Sequence, residues 1–287
     1  VITRNAVDGA EVTHFQISAI TNGDLYQNNG ATLISNGDFV TFSEGNAGLR
    51  FDPCEDCNNT SDIFSFQIMA STSSSGFSGL GGVVVTASIS VTAVNDPPSF
   101  TKGLDITVFE DYGGDGKFTS DNWATDISAG PPNESSQSLV FDLIANNTSL
   151  FSSQPTITAS GELEYTLAAN QWGEANVTVY LEDNGGTANG GDDTSGEATF
   201  IITVTPVADT PSITNSSTLE DNMTTSGLVI TRNAVDGAEV THFQITGITN
   251  GNLYQNTLYG SAPISNGDFI TFSEGNAGLQ FDPCEHC

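Results

Sequence analysis

The stretch that most constrains this chain is one it writes twice. "VITRNAVDGAEVTHFQISAITNGDLYQ" at Val1–Gln27 returns as "VITRNAVDGAEVTHFQITGITNGNLYQ" at Val229–Gln255, with three positions changed. A variable loop follows, "NNGATL" in one copy and "NTLYGSAP" in the other. The match then resumes through "FDPCEDC" at Phe51–Cys57 and "FDPCEHC" at Phe281–Cys287. A repeat period of about 229 residues implies one full unit plus the start of the next. Arrays of that kind favour a structural or adhesive role over a compact catalyst. The segment "DTPSITNSSTLEDNMTTSGL" before Val229 has no counterpart before Val1, and "NNTSDIFSFQIMAS" after Cys57 has none after Cys287. The expectation is that each copy is part of a domain whose remaining strands come from neighbouring sequence or from another subunit.

The periodicity is that of strands. "VVVTASISVTAV" sets Val85, Ala87, Ile89, Val91 and Ala93 against Thr86, Ser88, Ser90 and Thr92. Phe200, Ile202 and Val204 alternate in the same way, as do Val177, Val179 and Leu181, and Phe64, Phe66 and Ile68. Period-two stretches bounded by "NG", "GG", "DG" and "DP" turns predict antiparallel β-sandwiches, with the phenylalanines mostly in the cores. Helical periodicity is confined to a turn at most. Two similar punctuation marks, "SVTAVNDPPSF" and "TVTPVADTPSI", place domain boundaries, because proline restricts the residue before it and blocks continuation of the strand. The predicted organisation is a partial domain at 1–96, a complete one at 97–208 and a second partial one at 209–287.

Charge excludes several partners. Thirty-five acidic residues against five basic ones give a net charge of −30, which repels the phosphates of nucleic acids and the surfaces of anionic membranes. No apolar run approaches the roughly 20 residues needed to span a bilayer. The carboxylates are either a solvated surface or, where several converge, oxygen ligands for a hard cation such as Ca2+.

At these residues the chain resembles the tandem cadherin-like repeats of large bacterial surface proteins and adhesins. "VNDPPSFT", "ITVFEDYGG", "GELEYTLAANQWGEANVTVYLEDNGGTANGGDDTS" and "FIITVTPVADTP" carry the likeness in the middle domain, and "LEDN", "ITNGNLYQN" and "AGLQFDP" carry it in the flanking ones. The resemblance implies an all-β fold of tandem Greek-key (cadherin-like or Ig-like) sandwiches, extracellular and displayed at the cell surface. It also implies Ca2+ at the domain junctions. The implied ligands are Asn95 and Asp96 at the first linker and Asp209 at the second, with the loop acids Glu110, Asp111, Asp183, Glu220 and Asp221. The second linker departs from the pattern, reading "VAD" where the first reads "VND".

No catalytic constellation is present in the sequence, so an enzyme is not expected. His14 and His242 are one position in two copies, and phosphate loops, nucleophile elbows and zincin motifs are missing. The four cysteines, Cys54, Cys57, Cys284 and Cys287, are the sharpest chemical feature. A haem attachment would need His after the second Cys, where Asn58 stands. A four-cysteine zinc site would need the two distant pairs to meet. A disulfide closing each Cys-x-x-Cys loop in an oxidising setting is the expectation. Sequons at Asn58, Asn59, Asn133, Asn146, Asn147, Asn176, Asn215 and Asn222 are candidate glycan acceptors. Isopeptide cross-linking has only Lys102 and Lys117 as donors. The functional expectation is a segment of an extracellular fibre, stalk or adhesin, whose partners are neighbouring copies of itself. Its alternative is an adhesive module that takes a surface glycan or a protein receptor on Gly/Asp-rich loops.

Overall fold

A computed structural model describes residues 1–257 and 260–284 of the chain. Among these residues the fold is all-β, as the alternation predicts. The exceptions are two short helices, Phe42–Ala47 and Phe272–Asn276, and a few 3-10 turns. The chain divides into two compact units. One comprises Val1–Thr101, Asp126–Phe141 and Tyr180–Gly196, and the other comprises Lys102–Thr125, Asp142–Val179 and the chain from Glu197 on.

In the first unit one sheet has the order Phe39–Thr41, His14–Thr21, Phe64–Ser71, Leu80–Ile89, and a second has Leu33–Ile34, Gly23–Gln27, Leu49–Pro53. Alternate residues of both face one core, where Phe15, Ile17, Leu25, Ile34, Val40 and Phe66 are buried together. Full burial of side chains of this size contributes about 1.5–3 kcal/mol each, and the polar residues between them face solvent. The helix Phe42–Ala47 starts at a capping box. Thr41 Oγ1 accepts the Glu44 N–H, and the Glu44 carboxylate accepts the Thr41 N–H. Gly45 within that helix lies against Phe15 and Ile2, where a Cβ would come within 3.1 Å of the Phe15 ring.

The strand Leu80–Ile89 is shorter than the alternation predicts. It ends before Val91 because Asn59 captures that residue: the Asn59 N–H donates to the Val91 carbonyl at 3.0 Å, and the Val91 N–H donates to Asn59 Oδ1. Side-chain capture of a backbone group competes with the sheet ladder. Val83, Val84 and Val85 are exposed along this last strand of the sheet.

The second unit contains most of the sheet Val140–Ala145, Gly173–Glu182, Ala198–Thr205, Ile106–Phe109 and all of the sheet Lys117–Ser120, Leu163–Leu167, Phe151–Ile157. The chain crosses between the two sheets, with Phe151–Ile157 and Leu163–Leu167 successive in one and Gly173–Glu182 and Ala198–Thr205 successive in the other. The first and last strands of this set run parallel, with Ile202 opposite Ile106 and Val204 opposite Val108. Val177, Val179, Phe200, Ile202 and Val204 are buried on the inner face. Trp123 packs at 4.4 Å from Phe200 and donates its indole N–H to the Leu104 carbonyl. Tyr165 is stacked on Phe118 at 4.8 Å, and its hydroxyl is buried without a partner.

The unit closes with the second copy of the repeat. His242 faces Thr271 and Phe243 faces Ile270, the same register as His14 with Thr41 and Phe15 with Val40. Gly251 faces Pro283 as Gly23 faces Pro53. Nearly identical sequence folds into the same half-sandwich twice.

Candidate functional site: the two linkers

The chain leaves the first pair of sheets through Val91–Asp96. Two features of the sequence converge on this segment. The first is the cysteine loop: Cys54 and Cys57 form a disulfide with Cα atoms 5.4 Å apart, and the Cys54 N–H donates to the Asn22 carbonyl. The loop continues into Asn58, which is 5% exposed and uses its Oδ1 to accept the Thr60 N–H, and then into Asn59, which holds Val91. The staple thus fixes the root of the linker. Cys287, the expected partner of Cys284, lies outside the described residues, as does His286.

The second feature is the Gly/Asp-rich loop after Glu182. Asn95 projects into it. Its Nδ2 donates to Asp183 Oδ1 at 2.9 Å and to the Asp192 carbonyl at 2.7 Å, and its Oδ1 accepts from Gln137 Nε2 at 2.7 Å. The Asp192 N–H donates back to the Asn95 carbonyl. Glycine is required at the receptacle, since a Cβ on Gly185 would sit 1.7 Å from Asn95 Oδ1. Next along, the Asp96 N–H donates to the Glu134 carboxylate. Glu134 is 6% exposed, and burial raises its pKa, with the negative charges of Asp96, Asp183 and Asp56 adding to the effect. A cleft of about 180 Å³ runs beside Asn95, Glu134, Gln137 and Gly185.

The second linker, Val207–Asp209, is held differently. Glu110, 6% exposed, accepts the Val207 N–H at 2.6 Å through Oε1. Burial raises its pKa despite that bond, and Asp111, Glu239 and Asp209 push it the same way. The Asp209 N–H donates to Asp236 Oδ1 at 3.0 Å. Glu239 Oε1 accepts the Gly237 N–H. Asp236 Oδ2 and Glu239 Oε2 are buried without partners, and so are Asp183 Oδ2 and Gln137 Oε1 at the first linker. Among the described residues no three His, Cys, Asp or Glu side chains gather into a ready metal site.

The acids expected from the sequence therefore divide. Asp96 and Asp183 meet at the first linker, and Glu110 and Asp209 meet at the second. Asp111 sits in an exposed left-handed turn beside Glu110. Glu220 and Asp221 lie in an exposed turn, Asp221 with the same left-handed backbone. Glu134, Gln137, Gly185, Asp236 and Glu239 escaped the sequence reading. Of the sequons, Asn133, Asn146, Asn176, Asn215 and Asn222 are exposed. Asn147 is half-buried and donates to the Glu174 carbonyl, while Asn58 is turned inward and Asn59 is engaged with Val91.

No family model and no curated protein matches the chain. Solved structures similar to it include the human desmocollin-1 ectodomain, at 11% identity and a TM-score of 0.30, covering 96% of this chain and 46% of that one. Drosophila N-cadherin EC1-4 is similar at 12% identity and a TM-score of 0.37, covering 97% of this chain and 60% of that one. Chicken VE-cadherin EC1-2 is similar at 16% identity and a TM-score of 0.31, over 70% of this chain and 88% of that one. The chain thus spans less than two thirds of the desmocollin-1 and N-cadherin structures.

Proposed function

We propose that the chain is a structural repeat segment of an extracellular fibre, stalk or adhesin, without an enzymatic role. The observation that carries this reading is the duplicated half-sandwich, identical in register at both ends of the sequence. A disulfide on an exposed loop supports an oxidising, extracellular setting, and no described helix is long and apolar enough to cross a membrane. Within this proposal the domains are 1–96, 97–208 and 209–287, joined at the two linkers described above. Neighbouring repeats, or other copies of the chain, supply the strands that complete the two copies. The exposed valines of Leu80–Ile89 support such pairing, because the matching strand Ala198–Thr205 has a parallel partner on its far side. The receptor-binding alternative has less support, since the Gly/Asp-rich loop it would use is occupied by Asn95.

Calcium belongs to the second linker in this reading. A hard cation wants oxygens that no proton donor has claimed. Asp236 Oδ2 and Glu239 Oε2 are buried and unclaimed there, beside a Glu110 that burial disfavours as an anion. Glu110, Asp209, Asp236 and Glu239 would hold the ion, with Asp111 adjacent, and the ion would supply charge neutralisation and a cross-link. Glu220 and Asp221, exposed in their own turn, would be further carboxylate ligands of the same kind.

Protease shaving of intact source cells tests the location. Peptides of this chain should be released, and their retention inside washed, expressing cells would overturn the extracellular assignment. Calorimetric titration with calcium tests the ion. Heat of binding should be present and should be lost in the Glu110→Gln, Asp236→Asn double variant.

A further inference from the structure

The first linker carries an asparagine, Asn95, where the second carries Ala208. The family resemblance makes that asparagine an oxygen donor to a cation, and its surroundings do not fit the role. The amide orientation follows from its partners. Two acceptors, Asp183 Oδ1 and the Asp192 carbonyl, face one end, and the Gln137 amide donor faces the other. The end turned toward the acidic groups is therefore the nitrogen, the positive pole of the amide dipole. Asp183 Oδ1 also accepts the Gly185 N–H, and Glu134 accepts the Asp96 N–H. Asp183 Oδ2 and Gln137 Oε1 are buried there without partners, but the place between Asp183 Oδ1 and the Asp192 carbonyl is already filled by the Asn95 amide nitrogen, a donor that cannot ligate a hard cation.

We propose that Asn95 is a metal-free latch: its side-chain amide takes the place that a cation would occupy at the first linker. The two linkers of one repeat are then of different kinds, one closed by hydrogen bonds alone and one awaiting charge neutralisation. Glycine at 185 is part of the device, because any side chain there would expel the Asn95 amide. The specificity lies in Asn95 and Gly185, not in the carboxylates that surround them. This inference rests on the linker reading above but does not require that calcium bind at the second linker.

The test is site-resolved proteolysis of the full chain with an endoprotease that cuts before aspartate. Fragments are quantified by mass spectrometry in calcium and in chelator. Cleavage before Asp96 should proceed at the same rate in both. In Asn95→Ala it should rise about tenfold in both conditions, the scale expected for losing three side-chain hydrogen bonds that hold a segment closed. Gly185→Ala should give the same rise while keeping Asn95, and cleavage before Asp209 in these variants should stay at the wild-type rate if the rest of the chain is folded. Protection of the wild-type Asp96 site by calcium, or unchanged cleavage in both variants, would overturn the latch. Calcium protection at Asp209 reads the second linker separately, so failure there leaves the latch result intact.

Discussion

Single residues in this chain are placed where burial and charge oppose each other. Glu110 and Glu134 both titrate above the ordinary value of 4.5 because burial disfavours their anions. Between that value and the raised one, the folded state binds more protons than the unfolded chain. Their contribution to stability is therefore largest at low pH and falls as pH rises through that window. In chelator, Glu110→Gln should flatten the decline in melting temperature from about pH 4.5 upward, and an unchanged slope would refute this role. Glu44 and Glu274 behave in the opposite sense. The Thr41 and Thr271 N–H groups hold them below 4.5, so their contribution is present above that value and lost as pH falls through the lowered one. Tyr165 is a different case, with a fully buried hydroxyl that has no partner. Leaving such a group unsatisfied costs about 1–3 kcal/mol. Tyr165→Phe keeps the stack on Phe118 and should raise stability by about 1 kcal/mol in denaturant unfolding.

At the scale of elements, much was legible in the sequence. Alternation at Phe200, Ile202 and Val204, and at Val177, Val179 and Leu181, marked strands whose inner faces are indeed buried. The Cys54–Cys57 pairing followed once the missing His after Cys57 and the distance between the two cysteine pairs had set haem and zinc aside. Alternation misled at Val91 and Ala93, because a local pattern does not reveal that Asn59, a residue far back in the chain, removes Val91 from the ladder. The linker partners were invisible for the same reason. Asn95 meets residues 137, 183 and 192 only after the sandwich has closed, and no spacing rule links them. The contrast between "VND" and "VAD" was the one available signal. Its meaning depended on which end of the amide faces the acids. Two substitutions probe the local elements. Thr41→Ala removes the cap of Phe42–Ala47 and should cost about 1 kcal/mol. Cys54→Ser with Cys57→Ser opens only a small ring and should cost no more than about 2 kcal/mol by the chain-entropy estimate. A larger loss in thermal unfolding would mean that the staple also supports Asn58 and Asn59 in holding Val91.

For the whole molecule the dominant fact is a net charge of −30 carried by 35 acidic residues. Repulsion among exposed carboxylates opposes compaction and is screened over about 10 Å at 0.1 M salt. Melting temperature should therefore climb as sodium chloride is raised from low ionic strength, even in chelator. A flat response would mean that the charges are already compensated. The parallel pairing of Ile106–Phe109 with Ala198–Thr205 has a further consequence. Tension applied at the start of Ile106–Phe109 and at the end of Ala198–Thr205 draws two side-by-side strands in opposite directions along their length. The hydrogen bonds between them must then yield together, in shear. The antiparallel pair of Ser212–Ile213 with Ile230–Thr231 offers only a two-residue grip. Under load the two-residue pair would open first, while the four-residue parallel pair held.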